Sequence, residues 1–135
     1  MNIRAIHPSE LEATYALLSS SGWSHRLRSM LEFSALVAAS DRAYVAVLPG
    51  GQVVGFARAL TDGLSNGYLS MVVVAPEFRR QGVGRALVAG VTAETPGVTW
   101  VLRAGREGAS EFFGRLGLAV SNLKCNAGNE IRSEL

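Results

Sequence analysis

Several residue types that build common functional sites are scarce in this chain. Of its 135 residues only Cys125 is a cysteine, which excludes a disulfide within the chain and a cysteine-based zinc site. Lysine is nearly missing: all but one of the 13 basic residues are Arg, the exception being Lys124. No apolar run approaches the roughly eighteen residues of a membrane-crossing helix. The opening MNIRAIHPSE lacks the charged-then-apolar layout of a signal peptide. A soluble, cytoplasmic protein with no membrane partner is therefore expected. A net charge of only +2 does not indicate a diffuse nucleic-acid surface, so no nucleic-acid partner is expected. What remains, 48% hydrophobic and 18% charged over 135 residues, suits one globular domain spanning residues 1–135.

Periodicity sorts this composition into elements. Residues 2–6 read as a strand. HPSELEATYALLSSSG reads as a helix, with Ser9 and Glu12 spaced as a capping box, Leu11, Tyr15 and Leu18 on one face, and Gly22 ending it. Ser24 is expected to cap a second helix through HRLRSMLEFSALVAAS, with Leu27, Met30, Leu31, Val37 and Ala38 as its buried stripe. The period then shortens. AYVAVL, QVVGFARAL and YLSMVVVA read as three strands joined by a Pro-Gly-Gly and a Ser-Asn-Gly turn, an antiparallel meander. A helix to about Glu94 follows, with Val83, Leu87 and Val91 in register and Pro96 as the stop, and VTWVLRA is the next strand. A strand, helix and strand over 68–104 make those two strands parallel neighbours by the right-handed crossover rule. EGASEFFGRLG is expected to be a last helix ending at Gly117, with a polar tail holding one further strand.

The junction VVVAPEFRRQGVGRALV, residues 72–88, carries the chemistry. Val72, Val73 and Val74 show no polar alternation, so this strand is expected to be covered on both faces, and Pro76 ends its ladder. Gly82 and Gly84 let backbone approach a ligand at the first turn of a helix, where unpaired N–H groups and the dipole favour an anion. Arg79, Arg80 and Arg85 crowd the same turn and favour a local phosphate. A dinucleotide fingerprint fails because Leu87 stands where its third glycine belongs, and a P-loop fails for want of Gly-Lys-Ser/Thr. GLSNG, residues 63–67, matches a nucleophile elbow literally, but a strand follows it and both histidines, His7 and His25, precede it. It reads as a hairpin turn.

RRQGVG after an apolar strand and a proline, that is Arg/Gln-x-x-Gly-x-Gly/Ala opening a helix, resembles the acetyl-CoA motif of the GNAT N-acetyltransferase superfamily. Downstream, Ala109, Phe112, Phe113, Gly117 and Leu118 fall at the spacing of that superfamily's second motif. The resemblance implies an α/β (α+β) GNAT-like acyl-CoA N-acyltransferase fold: a mixed, mostly antiparallel sheet with a central parallel pair, flanked by helices. It implies acetyl-CoA as cosubstrate, no metal, and transfer of acetyl to a primary amine of a small molecule or peptide by direct attack in a ternary complex. Backbone amides of Arg80, Gln81, Gly82, Val83, Gly84 and Arg85 would hold the diphosphate, with the Arg79, Arg80 and Arg85 side chains adding charge. The edge of Val72, Val73 and Val74 would pair with the pantetheine amides, and a backbone N–H there would stabilise the oxyanion. Phe112, Phe113 and Arg106 fall beside the coenzyme. A Tyr commonly stands at the Phe113 position to protonate the departing thiolate, so no general acid is assigned here.

By the same resemblance Tyr68 and Ser70 are catalytic candidates that would orient a water, with cross-strand packing as the other reading. Trp23, Arg26 and Glu32 fall where acceptor-pocket walls stand, although packing explains them equally. A non-catalytic acyl-CoA-binding or regulatory module of the same fold is the alternative to an enzyme. A homodimer is expected if the far sheet edge needs cover.

Overall fold

β-branched and aromatic residues favour a pleated, half-buried surface, and the runs rich in them are the strands of the structure. In a computed structural model of the chain, which describes residues 1–23, 27–102, 119–120 and 133–134, the first five strands are β1 (Asn2–Ala5), β2 (Arg42–Val47), β3 (Val53–Thr61), β4 (Asn66–Val74) and β5 (Thr99–Leu102). They form one sheet in the order β1-β2-β3-β4-β5. β1–β2 and β2–β3 are antiparallel, with Ile3 opposite Ala46 and Val45 opposite Phe56. Bonds from Asp62 N to Asn66 O (3.4 Å) at one end and Ala75 N to Val54 O (2.8 Å) at the other run β3 and β4 antiparallel as well. β4 and β5 are parallel from Asn66 opposite Thr99 to Leu69 opposite Leu102. The α/β class and the mixed sheet with its parallel pair are thus present. β6 (Ala119–Val120) and β7 (Ser133–Glu134) pair antiparallel, where one tail strand was expected. Among the described residues no helix is long and apolar enough to cross a membrane.

The chain gathers into two compact units, Met1–Ala59 with Met71–Ala93, and Leu60–Ser70 with Glu94–Leu135. The first holds helices α1 (Leu11–Leu18), α2 (Met30–Ala39) and α3 (Val83–Val91). Its core joins Leu18, Leu27, Phe33, Val45, Val47, Phe56, Met71 and Val73. Phe33 is the hinge of this cluster, 6.0 Å from the Tyr15 ring and 5.6 Å, edge to face, from Phe56.

Both helix starts differ from the sequence reading. A 3₁₀ turn at Pro8–Glu10 precedes α1, and it is the Glu10 carboxylate, not the Ser9–Glu12 pair, that reaches back to accept the His7 N–H at 2.8 Å. Arg4 donates to both oxygens of that carboxylate at 2.8 and 2.7 Å, and this bidentate grip fixes the register. Ser24 lies outside the described residues. Ser29 caps α2, accepting the Glu32 N–H at 3.1 Å, so the helix begins five residues later than Ser24 would place it and its faces turn accordingly. Leu31 is 82% exposed and Phe33 fully buried, and Met30, Leu36 and Val37 pack beside Phe33. Ala38 is exposed too.

α3 shows the expected stripe, with Val83, Leu87, Val88 and Val91 buried. It ends at Val91, short of Glu94, whose backbone is left-handed at φ 60°. Small residues let it approach the sheet. A Cβ on Gly55 of β3 would lie 2.8 Å from Leu87 Cδ1, and one on Gly90 of α3 would lie 3.0 Å from Ile3 Cγ2 and 3.1 Å from Tyr44 Cδ2. Neither α2 nor α3 has a basic residue in its last turn. Distant arginines serve instead. Arg58, buried on β3, donates from Nε to Ser40 Oγ at 2.9 Å, and that hydroxyl donates to Leu36 O at 2.8 Å, which places a cation near the negative end of α2.

In the second unit the β3–β4 loop is organised by Asp62, whose Oδ1 accepts the N–H groups of Leu64, Ser65 and Asn66 and whose Oδ2 accepts the Ser65 hydroxyl. The Ser65 hydroxyl first, and these amides next, hold the Asp62 carboxyl well below its ordinary pKa. Ser65 is therefore a turn residue and no nucleophile. Asn66 and Gly67, expected in the turn, already belong to β4. Gly67 is required because a Cβ there would sit within the van der Waals envelope of the Trp100 ring.

Arg4 first, then the His7 N–H, lower the Glu10 pKa from 4.5 to about 2 against the opposing effect of burial. The ionised carboxylate therefore stabilises the native state fully above pH 4.5, and that contribution is lost as pH falls through about 2. Glu10→Gln is expected to lower stability at pH 7 by about 1–2 kcal/mol, after discounting for solvent screening, and to flatten the acid limb between pH about 5 and 2 in urea titrations.

Candidate functional site

β4 passes into α3 through a loop held by its own side chains. After the 3₁₀ turn Pro76–Phe78, Arg79 Nε donates back to Val74 O at 3.0 Å and Gln81 Nε2 donates to Glu77 O at 3.2 Å. Arg80 is left-handed at φ 62°, and Gly82, the residue before α3, is left-handed at φ 85°, ψ 4°. Two left-handed residues within three positions curl the chain tightly into the opening turn. The Ala86 N–H donates to Gly82 O at 3.0 Å, so the amides of Val83, Gly84 and Arg85 precede the first α-helical bond and have no carbonyl four residues back within the helix. They form the positive pole of α3, and Arg79, Arg80 and Arg85 are exposed around it.

These residues fit a diphosphate. Gly82 is exposed, and a Cβ on it would meet nothing within 4 Å, so glycine is required there for conformation and the approach is open. Left-handed Arg80 was not foreseen: an arginine in that conformation is uncommon, and neither its identity nor its neighbours signal it. Among the described residues no group of three or more His, Cys, Asp or Glu is placed to hold a metal ion.

β4 holds a second departure from regular geometry. Met71 is left-handed at φ 57° in mid-strand, two residues past Leu69, which lies opposite Leu102 of β5. A non-glycine residue in that region costs about 1–2 kcal/mol. Its buried side chain, packed in the core cluster, contributes to holding it there. Beyond it, Val73 is buried but Val72 and Val74 are only half-buried, so the Val72–Val74 strand is not covered equally on its two faces as its composition suggested. The pleat still alternates, and the uniform valines concealed that alternation.

Val72–Val74 and Arg79–Arg85 therefore lie on one continuous strand, turn and helix of the first unit. Trp23, in the α1–α2 connection, and Glu32, in the first turn of α2, belong to the same unit. Trp23 is half-buried against the core, and its carbonyl accepts the Leu27 N–H at 3.2 Å. The Glu32 carboxylate accepts the Arg28 N–H at 3.4 Å, a local bond at the start of α2. Tyr68 and Ser70, both half-buried, lie on β4 in the second unit. Arg26, Arg106, Phe112 and Phe113 lie outside the described residues.

A glycine-opened helix after a sheet strand serves several phosphate-binding folds, and comparison with known proteins distinguishes among them. Residues 7–118 match the model of the Acetyltransferase (GNAT) family. The chain belongs to this family. No curated protein matches it by sequence. Among solved structures, an aminoglycoside 6'-N-acetyltransferase complexed with coenzyme A superposes with a TM-score of 0.79 at 21% identity, over 98% of this chain and 94% of that one. Ard1 from Thermoplasma volcanium gives 0.74 at 20% identity, over 98% and 94%. A GNAT-family acetyltransferase from Streptococcus pneumoniae TIGR4 gives 0.71 at 25% identity, over 93% and 96%. The GNAT fold is thus shared along nearly the whole chain.

Gly82→Ala separates conformation from room at this junction. With no atom in the way, the change is expected to cost about 1–2 kcal/mol through the left-handed backbone alone, read by urea denaturation. Coenzyme A affinity is expected to fall by more than tenfold because the opening amides turn away, read by calorimetric titration.

Proposed function

We propose that this GNAT protein transfers the acetyl group of acetyl-CoA to a primary amine of a small molecule or peptide, by direct attack with both substrates bound. The observation that carries the reading is the exposed, left-handed Gly82 at the mouth of α3, where the opening amides of the helix stand among three exposed arginines. Membership of the family favours coenzyme A as the anion, and the coenzyme A complex of the aminoglycoside enzyme supports that choice.

In this reading the amides from Arg80 to Arg85 bind the diphosphate and the side chains of Arg79, Arg80 and Arg85 add charge. Val72–Val74 offer strand hydrogen bonds to the pantetheine arm. Met71 turns the backbone just before that stretch. A main-chain N–H of the edge stabilises the oxyanion that develops as the amine nitrogen bonds to the acetyl carbon. The C–S bond then breaks, the sulfur takes the electron pair, and the amine's proton leaves through water. Tyr68 and Ser70 orient that water, since neither is an effective base at its ordinary pKa. Trp23 and Arg26 line the acceptor, together with Glu32, whose carboxylate also accepts the Arg28 N–H. Phe112, Phe113 and Arg106 contact the coenzyme, and the thiolate, a tolerable leaving group, needs no acid at Phe113.

The test is thiol release from acetyl-CoA with a panel of amines: a polyamine, an amino acid, an aminoglycoside, an arylalkylamine and a peptide N-terminus. Release that depends on one of these amines is expected. Coenzyme binding without release across the panel would assign the chain to a non-catalytic acyl-CoA-binding module instead.

A further inference from the structure

We propose that Arg42 is a positioning residue for the coenzyme site: it fixes α3 along its own axis and thereby sets where the opening amides stand. The proposal rests on the coenzyme reading above. Arg42 lies on β2 opposite Ala59, and its Nη1 donates to Val91 O at 2.9 Å and to Ala93 O at 2.6 Å, the carbonyls that close α3. α3 supplies no basic residue of its own there, and the Thr92 hydroxyl is turned to Val88 O at 2.7 Å.

The contacts of α3 with the sheet at Gly55 and Gly90 are apolar: Leu87 and Val83 lie over Gly55, and Gly90 lies against Ile3 and Tyr44. Apolar packing is non-directional. Hydrogen bonds are directional. Two of them from one guanidinium on a paired strand give the helix an axial stop. A nine-residue helix is about 13 Å long and stiff, so any slip at Val91 arrives undiminished at Val83. Binding groups must be held to about 0.5 Å, and a misplacement of about 1 Å can cost roughly a hundredfold.

Calorimetric titration of the full chain with coenzyme A tests this. Arg42→Ala is expected to raise Kd about tenfold. Ser29→Ala, which removes the bond from the Glu32 N–H that caps α2, is expected to leave Kd unchanged and so serves as the control for stability alone. Should Arg42→Ala fail to fold, Arg42→Gln is used, with a weakening of the same direction expected. Unchanged affinity in the Arg42 variant, or equal weakening in both variants, overturns the positioning role and leaves the coenzyme site standing. A wild-type chain that takes up no coenzyme A overturns the site and this role together.

Discussion

An α-helix cannot bond its own first amides to carbonyls within the helix, and in this chain those amides follow an exposed, left-handed glycine. The start of α3 places Val83, Gly84 and Arg85 ahead of the first helical bond, and left-handed Gly82 sets the direction of the backbone that precedes them. A side chain added at Gly82 would not collide with anything, so its conformation explains the glycine where crowding does not. Much of the first unit serves to hold this turn. β4 delivers it, Arg79 ties it back to Val74, and the glycines at 55 and 90 let α3 lie close to the sheet.

The helices use the sheet in different ways. α1 and α2 meet it through large apolar side chains, with Phe33 between Tyr15 and Phe56, and such interdigitation resists both separation and sliding. α3 buries Val83, Leu87, Val88 and Val91 and lies close to the sheet where β3 carries Gly55. The ends of α2 and α3 are each tied to an arginine from the strands, that of α2 through the Ser40 hydroxyl. Arg42 and Arg58 stand at neighbouring positions of the β2–β3 ladder, Arg42 opposite Ala59 and Ala43 opposite Arg58, and they serve α3 and α2 respectively. Neither helix carries a basic group in its own last turn.

The sequence made the order of elements legible, along with the parallel β4–β5 pair and the stripe of α3, because β-branched runs, turn residues and a 3.6 period are local signals. The RRQGVG junction was legible through its resemblance to the acetyl-CoA motif, since two glycines at a helix mouth also serve merely to cap and pack. Less visible were the features decided by distant partners. Glu10 caps the first turn because Arg4 holds it, and Ser29, not Ser24, starts α2, which reverses the exposure of Leu31 and Phe33. The left-handed backbones of Arg80 and Met71 lie at residue types that rarely adopt that conformation, and the three valines after Met71 concealed the alternation of their pleat.

The central claim is that main-chain donors at the mouth of α3 grip the coenzyme's diphosphate. Amide-resolved NMR titration with coenzyme A tests it most directly. The account predicts the largest shifts at the amides of residues 80–85, with slowed exchange at Val83 and Gly84. Saturable binding with its largest shifts elsewhere and these amides unmoved would contradict it.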